Sequence, residues 1–401
     1  MTKVDDASML DRGAFCARVV LLASLLLPGA ARGETSEGQQ ILIFEKSIQL
    51  NFSPLTVEWS PDNRHVAAKS FFDGKLHIID SDDAKSDRVI LEAVGRASIA
   101  WSPDGQIVAV NQSEPIYGIR LASVVDAREI GRRQLVPPQK IDACLSASMP
   151  MAFTDDGKGL WVTCGFAPRA GTQGVLANFP IAEKYRLPDF SDEDRITLPS
   201  AISGARVTAS ASSLARAKTG FALSAIVEFR TPGVTRRFAY GFDVPSKTES
   251  FPHFEIVDDT RSDLSQFPSQ IVMLPDKSFV LIRLSTTVSA GPRADEKLDR
   301  LFEGYDAHTG QRTIAYGGMA GTAPERGVIS QVALLRDGRS IVGGWARAAT
   351  QEGGMVVFDA RTGTVHQRIR SSPNSLLALS PDGRRAVNVT RQDEMRFYRI
   401  K

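Results

Sequence analysis

Chemistry in this chain would have to come from few residues. The five histidines are His65, His77, His253, His308 and His366. A local zinc site places two ligands three or four residues apart on one element, and no two of these have that spacing. His308 stands at a turn position that Arg361 fills in a sister copy, which favours the surface, and His65 and His77 read as strand residues. A site gathered from distant parts of the chain stays open. The acidic stretches Asp189-Phe190-Ser191-Asp192-Glu193-Asp194 and Asp258-Asp259 could bind a cation, yet neither follows the calcium-loop order, and solvated loop charge is the simpler reading. Arg128, Arg132, Arg133 and Lys140 make an equally ordinary basic loop. Gly317-Gly318-Met319-Ala320-Gly321 lacks the Lys-Ser/Thr of a phosphate loop, and no Gly-x-Ser-x-Gly elbow marks a serine hydrolase. The sequence therefore assigns no catalytic, cofactor-binding or metal-ligating residue, and no cofactor.

Cys144 and Cys164 form an even pair that an exported protein could oxidise. If Asp156-Gly157 centres a hairpin, Cys164 faces Met149. Straight strand would then carry Cys144 roughly 16 Å away, beyond the roughly 4.4–6.8 Å usual between bridged Cα atoms. A bend in the incoming loop would close the gap, so the bridge stays open. No Cys-x-x-Cys is present, so redox catalysis and c-type haem attachment have no support.

The elements that must position any site are written in a repeat. Four strong copies are Trp59-Ser60-Pro61-Asp62-Asn63, Trp101-Ser102-Pro103-Asp104-Gly105, Phe153-Thr154-Asp155-Asp156-Gly157 and Leu379-Ser380-Pro381-Asp382-Gly383. Met273-Leu274-Pro275-Asp276-Lys277 and Leu334-Leu335-Arg336-Asp337-Gly338 are weaker ones. Three places before the aligned Asp stand Trp59, Trp101, Phe153, Met273, Leu334 and Leu379; five places before it stand Val57, Ile99, Met151, Ile271, Val332 and Leu377. Large apolar residues two apart are the signature of a strand with one buried face. Four places after the Asp come Val66, Val108, Leu160, Val280, Ile341 and Ala386, so a second strand follows at once. Pro-Asp-Gly between apolar strands is hairpin chemistry.

A second turn, Asp306-Ala307-His308-Thr309-Gly310 and Asp359-Ala360-Arg361-Thr362-Gly363, ends a third strand. Further third strands are expected at Leu76–Asp80, Ile116–Leu121, Val175–Ile181, Phe238–Val244 and Met395–Ile400. Aligned Asp residues are 42, 52, 120, 61 and 45 apart, and the longest gap holds a degenerate unit near Val207–Val244 with Lys218-Thr219-Gly220 as its turn. Seven units over residues 41–401 average about 52 residues, the size of a four-stranded propeller blade. The expected fold is all-β: a single seven-bladed β-propeller, its last blade completed by the N-terminal strand Ile41–Leu50, which removes an open sheet edge. An incomplete eighth blade is the competing count.

The Trp-Ser-Pro-Asp-Gly units resemble those of bacterial WD-repeat-like propellers of the TolB type. The Asp-Ala-Arg-Thr-Gly turns resemble those of quinoprotein amine dehydrogenase-like propellers. The resemblance covers nearly the whole mature chain and implies a fold rather than a function, since scaffolds, ligand binders and enzymes share these turns.

Composition agrees with a large folded domain: 42% of the residues are hydrophobic, and 48 Lys+Arg nearly balance 46 Asp+Glu. A nucleic-acid binder would carry a basic excess, so no nucleic acid is expected. The apolar run Val19–Leu27 follows Arg12 and Arg18 and is broken by Pro28-Gly29 before Ala31-Arg32-Gly33. That is the layout of a signal peptide, residues 1–33, cut near Gly33, with translation starting at Met1 or Met9. Residues 34–40 are then a polar linker, and the mature chain is periplasmic or secreted, with no transmembrane anchor. Sequons begin at Asn51, Asn111 and Asn388.

Alternate connections in a blade share a face. Tight turns occupy one, which leaves Ile130–Ala147, Gly165–Gly174, Glu183–Gly204, Pro245–Ser269, Ser285–Lys297 and Tyr316–Val328 as long connections on the other. Blades three to six would therefore present the working surface, at the loop-rich mouth of the channel. Two functions compete: an exported scaffold binding a protein partner or small ligand through this face without catalysis, and a periplasmic propeller enzyme or subunit, dehydrogenase- or lactonase-like, with its site at the channel mouth. Carboxylates or histidines converging in the channel would favour the enzyme; an aromatic patch on the loop face would favour the scaffold.

Overall fold

The computed structural model describes residues 40–401, apart from 84–85, 93, 95–97, 113–117, 135–149, 164–174, 177–179, 198–204, 217–220, 233, 257–265, 287–301, 317–327, 348–351, 372–375 and 391–392. The expected signal peptide, Cys144, Cys164, Lys140, Asp258, Asp259 and the Gly317–Gly321 stretch lie outside the described residues.

The described strands form seven sheets, one per blade. Blade one holds β2 (Pro54–Trp59), β3 (His65–Ser70), β4 (Leu76–Asp80) and β5 (Arg88–Leu91); blade two holds β6 (Ile99–Trp101), β7 (Ile107–Gln112), β8 (Gly118–Ser123) and β9 (Arg128–Gln134). Blade three has β10 (Met151–Phe153), β11 (Gly159–Thr163), β13 (Pro180–Arg186) and β14 (Ser191–Thr197). Blade four has β12 (Val175–Leu176), β15 (Arg206–Arg216), β16 (Phe221–Thr231), β17 (Val234–Asp243) and β18 (Thr248–Glu255). Blade five has β19 (Gln266–Met273), β20 (Phe279–Thr286), β21 (Phe302–Asp306) and β22 (Arg312–Tyr316). Blade six has β23 (Val328–Leu334), β24 (Ser340–Arg347), β25 (Glu352–Asp359) and β26 (Val365–Ser371). Blade seven joins β27 (Leu376–Leu379), β28 (Arg385–Val389) and β29 (Glu394–Ile400) to β1 (Leu42–Gln49).

The expected closure is therefore present, and the count is seven. Strand β1 pairs antiparallel with β29 from Leu42↔Ile400 to Gln49↔Glu394. Gln367 of blade six clamps the junction. Its side-chain oxygen accepts from the Ile41 and Leu42 backbone N–H at 2.8 and 2.7 Å, and its amide donates to the Leu42 carbonyl at 2.8 Å.

The apolar residues that defined the repeat do not build one central core. They build seven, each between neighbouring blades. Val57 and Trp59 pack on Ala378, Val387 and Phe397 of blade seven. Trp101 packs back on Ile78 and Ile90 of blade one, and Phe153 back on Leu121 of blade two. The remaining seams follow suit: Ile181 with Leu223, Ile226 with Ile271, Leu281 with Val332, and Val342 with Leu377. Burial of one apolar stripe against the previous blade explains why the two-residue period is kept even where the turn residues drift.

The turns use the predicted chemistry. Asn63, Gly105, Gly157, Lys277, Gly338 and Gly383 all take a positive φ at the same position. Ser102 Oγ donates to Asp104 at 2.5 Å and accepts from the Ile107 N–H at 2.9 Å; Ser380 repeats this with Asp382 and Arg385 at 2.6 and 2.8 Å. Asp306 and Asp359 cap the second turn by accepting from the Thr309 and Thr362 N–H, each at 2.8 Å.

Four expectations are corrected. The third strand of blade three is β13, and Val175–Leu176 instead pairs with Val207 and Arg206 as the inner edge of blade four, making that blade five-stranded. Glu183–Gly204 is largely the β13–β14 hairpin rather than a long connection, and its acidic residues pair across it and with neighbours. Pro245–Ser269 contains β18 and the start of β19, and Ile130–Ala147 begins inside β9. Asn111 and Asn388 are 1% and 0% exposed, so a glycan could not reach them in the folded chain.

Candidate functional site

The histidines do not converge. His65 Nδ1 meets Asp62 at 2.8 Å inside its own turn, and His253 Nδ1 meets Glu249 at 3.2 Å within β18. His308 sits exposed in its turn, as expected. His77 is buried, stacked 3.8 Å from Phe52, with Nδ1 2.8 Å from Asp87. Among the described residues no group of three His, Cys, Asp or Glu could hold a metal ion. The acidic hairpin of blade three is spent on ion pairs: Asp192 with Arg133 at 2.6 Å, Glu193 with Lys184 at 3.3 Å and Asp194 with Lys247 at 2.7 Å. Of the basic loop, Arg132 pairs with Glu129 and Arg128 with Asp126, which leaves structural roles for both.

Two features were not singled out in the sequence. The first is Glu58 on β2. One residue before each repeat anchor stand Glu58, Ala100, Ala152, Val272, Ala333 and Ala378. Of these, Ala100, Val272, Ala333 and Ala378 pack in the seam with the following blade, and small or medium apolar residues are the rule. Glu58 breaks it. Its side chain keeps an exposed edge and has no donor among the described residues; the protein mass around β2 removes part of its bulk solvation and pushes its pKa from the ordinary 4.5 up to about 7.

The sign of the consequence follows from proton linkage. Between pH 4.5 and 7 the folded state binds the Glu58 proton more tightly than the unfolded chain, so this group's contribution to stability falls as pH rises through that window. At the other end, burial would raise Asp80 and Asp359, but hydrogen bonds from Arg64 and Arg339 and from turn N–H groups hold both below the usual range. Their contribution is lost as pH falls. Glu58→Gln is expected to raise the melting temperature at pH 8 and to leave it nearly unchanged at pH 5; equal shifts at both would refute the raised pKa.

The second is a cavity of about 900 Å³ in the central channel, walled by strands of blades four to seven and by the first hairpin turns of blades five to seven. The half-buried Leu214, Met273, Leu334 and Leu379 give its wall apolar patches between polar ones. It lies at the tight-turn end of the channel, opposite the expected working face.

The loop face carries its own feature, on blade one. The β3–β4 reversal presents Phe71 and Phe72, 52% and 83% exposed, with their rings edge to face at 4.9 Å. The Phe71 N–H donates to the Ser53 carbonyl at 2.7 Å, which fixes the reversal to the start of β2.

This geometry defines the class: a seven-bladed β-propeller. Solved structures agree. The chain is similar to a chain of Kuenenia stuttgartiensis hydrazine synthase (TM-score 0.53, 14% identity, covering 88% of this chain and 97% of that one). It is similar to the Myceliophteria thermophila Cps50 (Swd1) β-propeller domain (TM-score 0.56, 10% identity, 90% and 100% covered) and to a chain of the Mitotic Checkpoint Complex (0.54, 14%, 96% and 99%). Such identities speak for the fold alone. No family model and no curated protein sequence matches the chain, so neither the TolB-type nor the quinoprotein resemblance gains a sequence match. Among the described residues no helix is long and apolar enough to cross a membrane.

Proposed function

We propose that the mature chain is an exported binding module that engages a protein partner through its loop face without catalysis of its own. The observation that carries this reading is the Phe71–Phe72 pair. A phenylalanine that is 83% exposed beside a second exposed ring, on a backbone held by β2, is a pre-ordered aromatic anchor of the kind that dominates protein interfaces. Support also comes from the strand ends bounding 135–149, 257–265, 287–301 and 317–327, which leave from the same face.

The test starts with the tagged chain in its native exported fraction, where N-terminal sequencing should read from Glu34. The co-purifying partner is then titrated against purified wild type and Phe71→Ser/Phe72→Ser. Loss of an aromatic hot spot weakens binding by 2 kcal/mol or more, about 30-fold. An unchanged affinity with an unchanged melting temperature would sink the reading, as would retention of the chain in the cytosol.

The competing reading, a periplasmic propeller enzyme or subunit with its site in the channel, is favoured by Glu58. A carboxyl group with a pKa about 7 is poised for general acid or base work. Turnover of any ester or amine substrate that follows a pH limb near 7 and disappears in Glu58→Gln would favour it.

A further inference from the structure

The channel cavity has a charged rim that the fold does not explain. In blade one Arg64 Nε donates to Asp80 at 2.8 Å, and in blade six Arg339 pairs with Asp359. Each acid lies across the ladder from the residue after the arginine: His65↔Asp80 and Ser340↔Asp359. The same place in blade seven pairs Arg385 with Arg399, so a base stands where the acid belongs. Arg384, the counterpart of Arg64 and Arg339, consequently has no acidic partner among the described residues. Arg399 is held by Glu45 at 3.9 Å, and Arg385 by Glu45 and Asp82 at 3.5 and 3.4 Å, so neither shares an acid with Arg384.

Arg336, on the first turn of blade six, is a second exposed guanidinium with no acidic partner. Both arginines line the cavity. Gly383 brings them side by side: a Cβ there would lie 3.0 Å from Arg336 Cβ, so the Arg336 stem runs over the turn that carries Arg384. The acids next to them in the chain are committed to their own turns: Asp382 accepts from Ser380 Oγ and the Arg384 N–H at 2.6 and 3.0 Å, and Asp337 from the Arg339 and Ser340 N–H at 2.9 and 2.7 Å. Behind this rim Leu214, Met273, Leu334 and Leu379 add apolar surface, and a volume of about 900 Å³ matches a small-molecule site.

The geometry points to a ligand site at the tight-turn end of the channel for a small organic anion, with a carboxylate or phosphate head held between Arg336 and Arg384 and an apolar body in the channel. Guanidinium groups bind either head through paired N–H donors, and the apolar surface rewards a tail rather than a bare ion. This site lies on the face opposite Phe71 and Phe72, so it stands independently of the partner-binding reading.

Calorimetric titration with decanoate, decyl phosphate, decanol and acetate tests it. Saturable binding is expected for one or both long-chain anions, with decanol and acetate at least tenfold weaker, and the stronger of the two anions identifies the head. Arg336→Gln/Arg384→Gln and, separately, the cavity-lining Ala333→Phe, each read where its melt matches that of wild type, should weaken the anion at least tenfold while Phe71→Ser/Phe72→Ser leaves it unchanged. Binding that survives both cavity variants would overturn the proposal, because the anion then sits elsewhere. Loss in Ala333→Phe alone would remove the arginines from it, and absence of binding to a normally melting wild type would end it.

Discussion

A chain starting at Asn51 is expected not to fold to a monomeric ring, whereas one starting at Glu34 should fold normally. Removing β1 takes away the partner of β29 along its length and strips Leu42, Ile48 and Leu50 from two inter-blade seams. Three fully buried aliphatic side chains are worth about 1.5–3 kcal/mol each. Their sum alone approaches the roughly 5–15 kcal/mol by which domains are stable at all. The freed edge of β29 would also recruit other chains. Size-exclusion chromatography with a thermal melt checks this: a sharp monomeric melt near that of the longer chain would show that closure contributes little. Adding a synthetic peptide spanning residues 41–50 should restore part of the melt, which ties the loss to the strand itself.

Trp59→Ala is expected to destabilise the protein by about 3–5 kcal/mol, the most of any single anchor. Trp59 is 1% exposed, packs edge to face on Phe397 at 5.7 Å, and donates from its indole N–H to the Ala378 carbonyl at 3.3 Å. Arg385 covers the ring from outside, 5.6 Å from its centroid. All of these partners belong to blade seven, so the cavity opens at the seam that closes the ring. Trp101→Ala, at the equivalent place between blades one and two, leaves a seam that the chain itself continues through and should cost less. Parallel denaturant melts decide the ranking, and an equal or larger loss for Trp101→Ala would show that the closing seam has no special weight.

Most of the architecture was legible because the repeat encodes it twice, in turn chemistry and in strand register. The closing strand was legible because Ile41–Leu50 is apolar and the last unit lacks a fourth strand. What escaped was set by pairing rather than by side-chain type. Ser191-Asp192-Glu193-Asp194-Arg195 reads as a polar loop, yet β14 is the outermost strand of its blade, where solvent reaches most side chains and β13 supplies the hydrogen bonds. Strand β12 is two residues long and takes its partner from the next blade, which no local pattern announces. Glu58 was visible in principle. Four places before the aligned Asp stand five apolar residues and one carboxylate, but the strand period is carried by the positions on either side. The unpaired Arg384 needed the ladder register as well, since only the pairing with Arg399 reveals the missing acid.

Closure has a consequence in time. Leu42 leaves the ribosome about 360 residues before Ile400, the residue it must pair with. At roughly 5–20 residues per second that is about 20–70 s. Throughout the interval β1 has no strand to join, and blades one to six can form without it. The ring can therefore close only late, once β27, β28 and β29 are available to fill the place between blade six and a strand made long before them.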